Sequence, residues 1–359
     1  MTDQRRILVS GWVGADNVGD ELIFRSLAIK LQERGAAVTT MSTRPETTRR
    51  LHGVDAVGWS DVTGTLGAIR SADGVIIGPG GILQDETSVW NLPAHLHRVL
   101  VAKTMRTPVL GLGLGAGPLN TATGRSIVRS ALRSVPLTVR DDDSARLLTE
   151  SGLRRVTVTA DLAYGLPVPK ADGVDRIVVS LRPFSGSGGL VPARRSDLRT
   201  LGTDDRVAAA AAALDELAHR SSLPIHLLAF EAERDARYHD LIAEQMTEPA
   251  TTGIASIATV FDEVARSRLV VGMRYHAVVS AIMASRPAVV IGYSPKARSI
   301  AHRLGSAGLL VENDPASYHE VAEGVALLGR DDHVAEVRAE RRSADTGNDA
   351  ALDRFLSTI

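Results

Sequence analysis

The sequence predicts an α/β protein made of two doubly wound domains that face each other across a cleft. Short β-branched runs of strand length alternate with amphipathic stretches of helix length, a pattern typical of parallel sheets covered by helices on both faces. The chain has 359 residues, whereas a typical domain has roughly 150. Doubly wound sheets bind ligands beyond the carboxyl ends of their strands, so we expect functional residues in the loops that follow strands.

The first half of the chain contains six predicted strands and three predicted helices. The strands are 6–11, 37–41, 74–78, 108–112, 137–139 and 156–159, and the helices are 20–34, 92–105 and 123–134. The alternation pauses at residues 165–173, where two prolines and two flanking glycines favour an extended connection over a helix. We therefore predict an N-terminal domain over residues 1–168 and a C-terminal domain over residues 169–359.

The second half repeats this pattern. Its predicted strands are 176–181, 224–230, 268–271 and 288–291, and its predicted helices include 204–219 and 256–267. The irregular segment 183–202 is rich in Gly, Ser and Arg, and segments of this length are either lids or disordered insertions. From residue 331 onward the chain is charged and helical in pattern, which predicts a helix packed on the surface.

The composition excludes several classes of site and partner. The net charge is −1 and aromatic residues make up 4% of the chain, so we predict no nucleic-acid partner. The absence of cysteine excludes disulfides, thiolate zinc sites and a cysteine nucleophile. No stretch approaches the roughly 18 apolar residues of a membrane span, which predicts a cytoplasmic protein. His95 and His97 lie two apart on a predicted helix without a third ligand, so we predict no metal.

A glycine-rich turn follows the first predicted strand. Gly14 and Gly19 have the outer spacing of a phosphate loop, but Asp20 follows where that loop requires lysine. The turn predicts backbone amides near a ligand, with Asn17 as a side-chain donor and acceptor. Asp20 is expected in the first helical turn, either as a cap or as a ligand contact.

Two further loops follow strands of the first half. Gly80 and Gly81 form a close-approach turn after strand 74–78, and the polar side chains of Gln84 and Asp85 follow it. Arg140 directly follows strand 137–139 and precedes a run of aspartates that predicts a helix start. This arginine either clamps a carboxylate or phosphate with its planar fork, or pairs with the neighbouring aspartates.

Residues 268–296 are the most informative stretch of the sequence. Two strands in succession end in loops that open helices, and the first helical turns carry Arg274, His276 and Lys296. Cations at helix N-termini oppose the helix dipole unless an anion also lies there. Of the 41 basic residues only four are lysines, so Lys296 indicates a need for a compact charge. His276 is the group at this position that can donate a proton near neutral pH.

Seven ordered motifs make the chain resemble the polysaccharide pyruvyl transferase family. The similarity extends over about residues 7–305 and is greatest to the branch that acts on secondary cell-wall polymers anchoring surface layers. The motifs are Gly14-Ala-Asp-Asn17-Val-Gly19-Asp20-Glu21, Gly80-Gly81-Ile-Leu-Gln84-Asp85, Val139-Arg140-Asp141, Ala160-Asp161, Ser180-Leu181-Arg182, Gly272-Met-Arg274-Tyr-His276 and Tyr293-Ser-Pro295-Lys296.

The resemblance implies two Rossmann-like domains arranged as in glycosyltransferases of the B class. It implies transfer of pyruvate from phosphoenolpyruvate to a sugar as a cyclic ketal, with Arg140, His276 and Lys296 as catalytic residues and no cofactor besides this donor. The expected substrate-binding residues are Gly14, Asn17, Gly19, Asp20, Gly80, Gly81, Gln84, Asp85, Arg182 and Arg274. The acceptors of the family are commonly lipid-linked saccharides, which implies transient contact with the inner face of the membrane.

Two other functions remain open at the level of sequence. A nucleotide-sugar glycosyltransferase of the same fold would need an acidic residue for the ribose, and Glu312 or Asp314 could supply it. A binding module that closes on an anion without chemistry would use the same cations. The acceptor sugar, the stereochemistry of the ketal and the oligomeric state are not predicted.

Overall fold

A computed structural model describes residues 4–86, 88, 90–169, 175–183, 204–292 and 295–359. Its strands are β1 (Arg6–Val13), β2 (Ala37–Ser42), β3 (Asp55–Gly58), β4 (Gly74–Ile77), β5 (Gly80–Leu83), β6 (Val109–Ala116), β7 (Leu137–Val139), β8 (Val156–Val158), β9 (Ile177–Ser180), β10 (Ile225–Ala229), β11 (Ala250–Ile254), β12 (Leu269–Gly272), β13 (Ala288–Gly292) and β14 (Gly308–Glu312). Apart from residue 183, the segment predicted as a lid or an insertion lies outside the described residues.

Helices occupy most of the connections between these strands. They are α1 (Val18–Glu33), α2 (Pro45–His52), α3 (Val62–Ser71), α4 (Asn91–Thr104), α5 (Ala122–Leu132), α6 (Asp142–Glu150), α7 (Asp204–Ser221), α8 (Ala232–Ala243), α9 (Val260–Ala265), α10 (Tyr275–Met283), α11 (Pro295–Leu304) and α12 (Asp331–Leu356). Short 3₁₀ segments occur at Leu162–Gly165, Gly305–Ala307 and Pro315–Leu327. No helix among these residues is long and apolar enough to cross a bilayer.

The strands form two parallel sheets, as the sequence predicts. The first sheet has the order β3-β2-β1-β4-β6-β7-β8, with β5 paired to β6, and the second has the order β11-β10-β9-β12-β13-β14. In each sheet the chain order reverses once, between β1 and β4 in the first and between β9 and β12 in the second. Such switch points are where doubly wound sheets open a crevice for a ligand.

The central strands are buried on both faces because helices cover both sides of each sheet. Every residue of β6, β9, β10 and β12 is buried, and these strands consist mostly of apolar residues with glycine where the backbone needs space. Three hydrophobic clusters result, one of which contains residues of both halves of the chain, including Leu22 and Val278. The two halves therefore share part of one core at their junction.

Helix α12 crosses from the second half back to the first. It packs against α10 and α11 on one side, and against β6, β7 and the 3₁₀ segment Leu162–Gly165 on the other. The sequence predicts only a helix packed on the surface here. The division predicted between residues 168 and 169 falls between the two sheets and stays a prediction, since α12 lies against elements of both halves of the chain.

Candidate active site

Loops from the two switch points meet in the cleft. The turn after β1 leads into α1, the turn after β4 contains Gly80 and Gly81, and the loop after β12 opens α10. The backbone N–H of Val18 donates to the carbonyl of Phe230 at 2.9 Å, and Asn17 forms an isolated antiparallel bridge with Glu231. These contacts join the start of α1 to the second sheet and bring both switch points to one place.

His276 lies directly against the start of α1. A Cβ added to Gly19 would lie 2.1 Å from Nδ1 of His276, so only glycine fits at this position without displacing the ring. His276 is the second residue of α10, and no acidic residue occurs in the first turn of that helix. The imidazole is buried, and its Nε2 has no hydrogen-bond partner among the described residues.

Arg140 connects His276 with the rest of the site through Asp161. Its guanidinium donates to Oδ2 of Asp161 at 3.0 Å, and the same oxygen lies 3.5 Å from Nε2 of His276. The guanidinium also stacks 3.9 Å from the ring centroid of Tyr275, and its Nε lies 3.6 Å from Asp141. Burial alone would raise the pKa of Asp161, but His276 and Arg140 hold it well below its ordinary range.

The two interpretations of Arg140 from the sequence are therefore not exclusive. Arg140 pairs with its neighbour Asp141, which also caps α6 by accepting from the N–H of Ser144 at 2.7 Å. It also faces Gly81 and Gly115, since a Cβ added at these positions would lie 3.7 and 2.9 Å from its nitrogens. Both glycines leave room for the guanidinium at the floor of the cleft.

Lys296 reaches the same point from the second half of the chain. It is the second residue of α11, and its Nζ would lie 3.0 Å from a Cβ added to Gly81. No carboxylate of the described residues lies within ion-pairing distance of this amine. Burial and the neighbouring charge of Arg140 lower the pKa of Lys296 to about 8. A cation this poorly compensated favours binding of an anion.

Asp20 supplies a carboxylate to the site from the first half of the chain. Asn17 is the N-cap of α1, so Asp20 stands in the first helical turn, where its Oδ2 accepts from Nδ2 of Asn17 at 2.8 Å. Its Oδ1 would lie 3.4 Å from a Cβ added to Gly80. Burial raises the pKa of Asp20 to about 6, against the opposing charges of His276 and Arg140.

Arg274 already has partners within the protein. Its Nε donates to Asp235 at 2.9 Å and its Nη2 donates to Glu231 at 2.6 Å. These carboxylates, rather than a ligand, account for one of the cations that the sequence places at a helix N-terminus. A role of Arg274 in substrate binding stays a prediction, and its ion pairs position the start of α10.

Several other predicted binding residues have structural hydrogen bonds. Asn17 accepts from the N–H of Gly19, and the N–H of Gly14 donates to the carboxylate of Glu21 at 2.7 Å. Asp85 accepts from the backbone N–H groups of Asn120 and Thr121 and from the hydroxyl of Thr121. These contacts hold the loops in place, and binding of an acceptor by these side chains stays a prediction.

The remaining predicted residues also lie at the carboxyl ends of strands. Gln84 directly follows β5 and is partly exposed, and its backbone carbonyl accepts from Asn91 at 2.9 Å. Arg182 lies two residues beyond β9, beside the end of β12, where the N–H of Met273 donates to the carbonyl of Ser180. Gly14 and Gly80 have φ angles of 81° and 111°, which residues with a Cβ rarely adopt.

The sequence interpretation gave no role to Asp161 or Tyr275, although both stand in motifs that carry the family resemblance. Asp161 lies shortly after the edge strand β8. Residues that follow strands of doubly wound sheets often contact ligands, so this position could have indicated a functional role. Tyr275 reads as an ordinary aromatic residue at a helix start, and nothing in the sequence indicates that its ring lies under Arg140.

The residues considered for a metal or a nucleotide sugar have other environments. His95 is buried against Trp12 and Trp59, where burial lowers its pKa to about 3, and the described residues contain no group of three metal-ligating side chains. Glu312 forms a two-pronged ion pair with Arg298 at 2.6 and 2.8 Å, and Asp314 caps the following 3₁₀ segment.

Comparison with solved structures supports the fold of the B class of glycosyltransferases. UDP-GlcNAc 2-epimerase from Neisseria meningitidis has a TM-score of 0.62 at 11% identity, covering 99% of this chain and 100% of that chain. S. aureus MnaA has a TM-score of 0.66 at 11% identity, covering 99% of this chain and 98% of that chain. Acinetobacter baumannii MurG has a TM-score of 0.54 at 13% identity, covering 98% of this chain and 99% of that chain. At these identities the likeness shows the fold alone.

Comparison by sequence identifies the family. No curated protein matches the chain. Residues 17–295 match the family described as polysaccharide pyruvyl transferase, and this range contains Arg140 and His276 and ends one residue before Lys296. Since the match covers well over half of the chain, and the site assembles where the motifs of that range meet, the chain belongs to the polysaccharide pyruvyl transferase family.

Proposed function

We propose that this protein transfers pyruvate from phosphoenolpyruvate to two hydroxyl groups of a saccharide, forming a cyclic ketal and releasing phosphate. The observation that carries the proposal is the meeting of Arg140, His276 and Lys296 in one part of the cleft, with no carboxylate of the described residues paired to Lys296. Phosphoenolpyruvate is a small, multiply charged anion, and such a ligand needs several cations and no aromatic platform for a base.

In the proposed mechanism His276 protonates the methylene carbon of phosphoenolpyruvate. The adjacent carbon gains cationic character and is attacked by a sugar hydroxyl, phosphate then leaves, and a second hydroxyl closes the ketal. The carbon–hydrogen bond takes its proton from His276, and the attacking hydroxyls release two protons, one of which restores His276 while the other leaves with phosphate. Lys296 and Arg140 stabilise the charge on the departing phosphate.

We further propose that Asp20 accepts the proton of the attacking hydroxyl and passes it to the departing phosphate. Its Oδ1 has no hydrogen-bond partner among the described residues and faces the turn at Gly80. With a pKa of about 6 it is largely ionised at neutral pH yet basic enough to take a proton. The proposed base then comes from α1 and the proposed acid from α10, with the acceptor on the side of the N-terminal domain.

The acceptor is proposed as a saccharide of the cell surface, built on a lipid-linked precursor. The resemblance to the branch acting on secondary cell-wall polymers supports this class, and it implies a cytoplasmic enzyme that contacts the inner face of the membrane. The ion pairs of Glu312 and Asp314's role as a cap do not favour a nucleotide sugar.

The decisive experiment is incubation with phosphoenolpyruvate and candidate glycans, following phosphate release and the pyruvyl adduct by mass spectrometry. We expect His276→Gln to reduce turnover by about 10² to 10⁴, the contribution of a proton donor. His302→Gln, at an exposed histidine on α11, is the matched control and should keep normal turnover. Near-normal turnover of His276→Gln would refute the assignment of the acid. Thermal stabilisation by a nucleotide sugar instead of phosphoenolpyruvate would favour a glycosyltransferase.

A further inference from the structure

A small cavity lies next to Arg140 and Lys296, between the two halves of the chain. Its lining comes from the turn between β7 and α6, the 3₁₀ segment after β8, the start of α10, one face of α11, and α12. The side chains that matter here are Arg140, Tyr164, Tyr275, Lys296, Arg303 and Arg341. Arg303 and Arg341 lie beyond residues 17–295, so the family match assigns them nothing.

The lining of this cavity is strongly cationic. It carries three arginines and a lysine but only one carboxylate, that of Asp141. Asp141 already accepts from the N–H of Ser144 and lies 3.6 Å from Arg140. Arg303 lies 3.7 Å from each of two exposed carboxylates, Asp142 and Glu340, so these outer pairs are loose. Outside the lining, Asp161 pairs with Arg140 and Glu340 pairs with Arg341, so Lys296 is the lining cation that has no paired carboxylate among the described residues.

Two buried nitrogen atoms of the lining have no hydrogen-bond partner in the part of the chain that the structure describes. Nε of Arg341 and Nε of Arg140 are buried without a hydrogen bond among the described residues, and Arg341 is only 8% exposed. Lys296 likewise has no paired carboxylate there. Buried donors left unsatisfied are costly, so a site with several of them favours an acceptor-rich ligand.

We propose that this cavity binds a phosphate group. Phosphate presents several acceptor oxygens and up to two negative charges, which match the arginine forks and the lysine better than a single carboxylate does. The inference rests on the proposed function, because Arg140 and Lys296 belong to both sites. One source of the phosphate is the donor, in which case Arg303 and Arg341 bind the phosphate group of phosphoenolpyruvate that leaves during transfer. The other source is free inorganic phosphate that stays bound after transfer.

Binding of a phosphate requires this cavity to widen. The cavity is narrow, but Lys296 and Arg303 are long side chains on the same face of α11, and Arg303 is 21% exposed. The proposal therefore requires Lys296 and Arg303 to turn outward while Arg140 and Arg341, which are buried, stay in place. Tyr164 and Tyr275 have pKa values well above their ordinary value because they are buried, so their hydroxyls stay protonated and can donate.

The test is calorimetric binding of three probes: phosphoenolpyruvate, inorganic phosphate, and pyruvate as a carboxylate that lacks phosphate. We expect Arg341→Gln to weaken binding of phosphoenolpyruvate and of phosphate about 10- to 100-fold, the effect of one charge-assisted hydrogen-bonding group. Binding of pyruvate should be unchanged. Arg341→Lys should recover part of the affinity, and Arg354→Gln, at an exposed arginine of the same helix, should change nothing.

Each outcome decides a different point. Loss of affinity for phosphate alone identifies the cavity as a site for free phosphate, whereas equal loss for both probes identifies it as the site of the donor's phosphate. Unchanged affinity for both overturns the proposal. If wild-type protein binds phosphate but not phosphoenolpyruvate, the proposed function fails while the cavity stands. If Arg341→Gln does not fold, Arg303→Gln at the cavity's exposed side gives the same comparison.

Discussion

At the scale of single residues, Lys296 shows how a binding site lowers the stability of the protein that carries it. Its Nζ lies close to Arg140 and Gly81 and has no paired carboxylate among the described residues. Burial and repulsion by Arg140 lower its pKa to about 8. A charged group in such a place destabilises the folded state until a bound anion compensates it.

Lys296→Met should therefore stabilise the free protein while abolishing transfer. Between pH 8 and 10.5 the unfolded chain holds the proton that folded Lys296 has released, so stability from this group rises with pH across that window. The variant should gain on the order of 2 kcal/mol in free energy of unfolding at pH 7 and lose this pH dependence.

Urea denaturation at several pH values measures this effect. Lys103→Met is the matched control, because Lys103 donates to the carbonyl of Ala131 and lies outside the cleft. It should not gain stability. A Lys296→Met variant that is less stable than wild type at pH 7 would mean that the amine has an anionic partner in the folded protein.

At the scale of elements, the start of α1 is shaped to receive the start of α10. Gly19 lies within a helix, where alanine normally stabilises by roughly 1 kcal/mol. Here a Cβ would lie 2.1 Å from Nδ1 of His276, so glycine is required at this position although its helix propensity is lower than that of alanine. The contact fixes the imidazole relative to Asp161 and Asp20.

We therefore expect Gly19→Ala to lower kcat about tenfold or more, because the displaced His276 no longer reaches the donor from its present position. Gly67→Ala is the control, since a Cβ added to that glycine of α3 meets nothing within 4 Å. It should keep normal kcat and gain up to about 1 kcal/mol in unfolding free energy. Normal kcat in Gly19→Ala would show that the close approach of α1 does not position the acid.

The elements that the sequence predicts best are those with buried, β-branched strands and capped helices. The predicted helices 20–34 and 123–134 correspond to the capped helices α1 and α5 within two residues at each end, and the cations at the starts of α10 and α11 lie where the pattern places them. Strands β3 and β11 were missed because they are short edge strands in which at most one residue is buried. Strand β5 begins with Gly80 and Gly81. Two consecutive glycines are more typical of a turn than of a strand, so the sequence predicts a turn here.

Side-chain partners were much less predictable than elements. Arg274 and His276 stand two residues apart, yet one is neutralised by Glu231 and Asp235 while the other faces Gly19. Glu231 comes from the loop after β10, and no local pattern indicates which loop reaches a given cation. Asp161 and Arg341 were missed for the same reason, because their roles depend on packing between distant elements.

At the scale of the whole molecule, α12 is the element that ties both halves to the site. It carries Arg341 into the cavity beside Arg140, and its next two turns bind the first domain. Lys30 forms ion pairs with Asp345 and Asp349 at 2.8 Å, and burial of Asp345 raises the pKa of that carboxyl despite this contact. Periodicity predicts the helix, but the pattern does not reveal that it bridges the two halves of the chain.

Asn348 is the centre of this attachment, and its removal gives the last prediction. Its side chain is fully buried, accepts from the hydroxyls of Thr138 and Thr159 at 2.7 and 2.9 Å, and donates to the carbonyl of Ala160 at 3.0 Å. Asn348→Ala leaves these groups unsatisfied, so we expect a loss on the order of 3 kcal/mol in unfolding free energy. Thr346→Ala, at an exposed position of α12, should change it by less than about 0.5 kcal/mol.

The same substitution should also weaken donor binding under conditions in which the variant is still folded. Ala160 directly precedes Asp161, so loosening its carbonyl allows the carboxylate that holds Arg140 to move. Calorimetric titration of Asn348→Ala with phosphoenolpyruvate in the absence of urea measures this coupling, and we expect affinity to fall severalfold while Thr346→Ala binds normally. Unchanged affinity together with the stability loss would mean that α12 stabilises the fold without positioning the site.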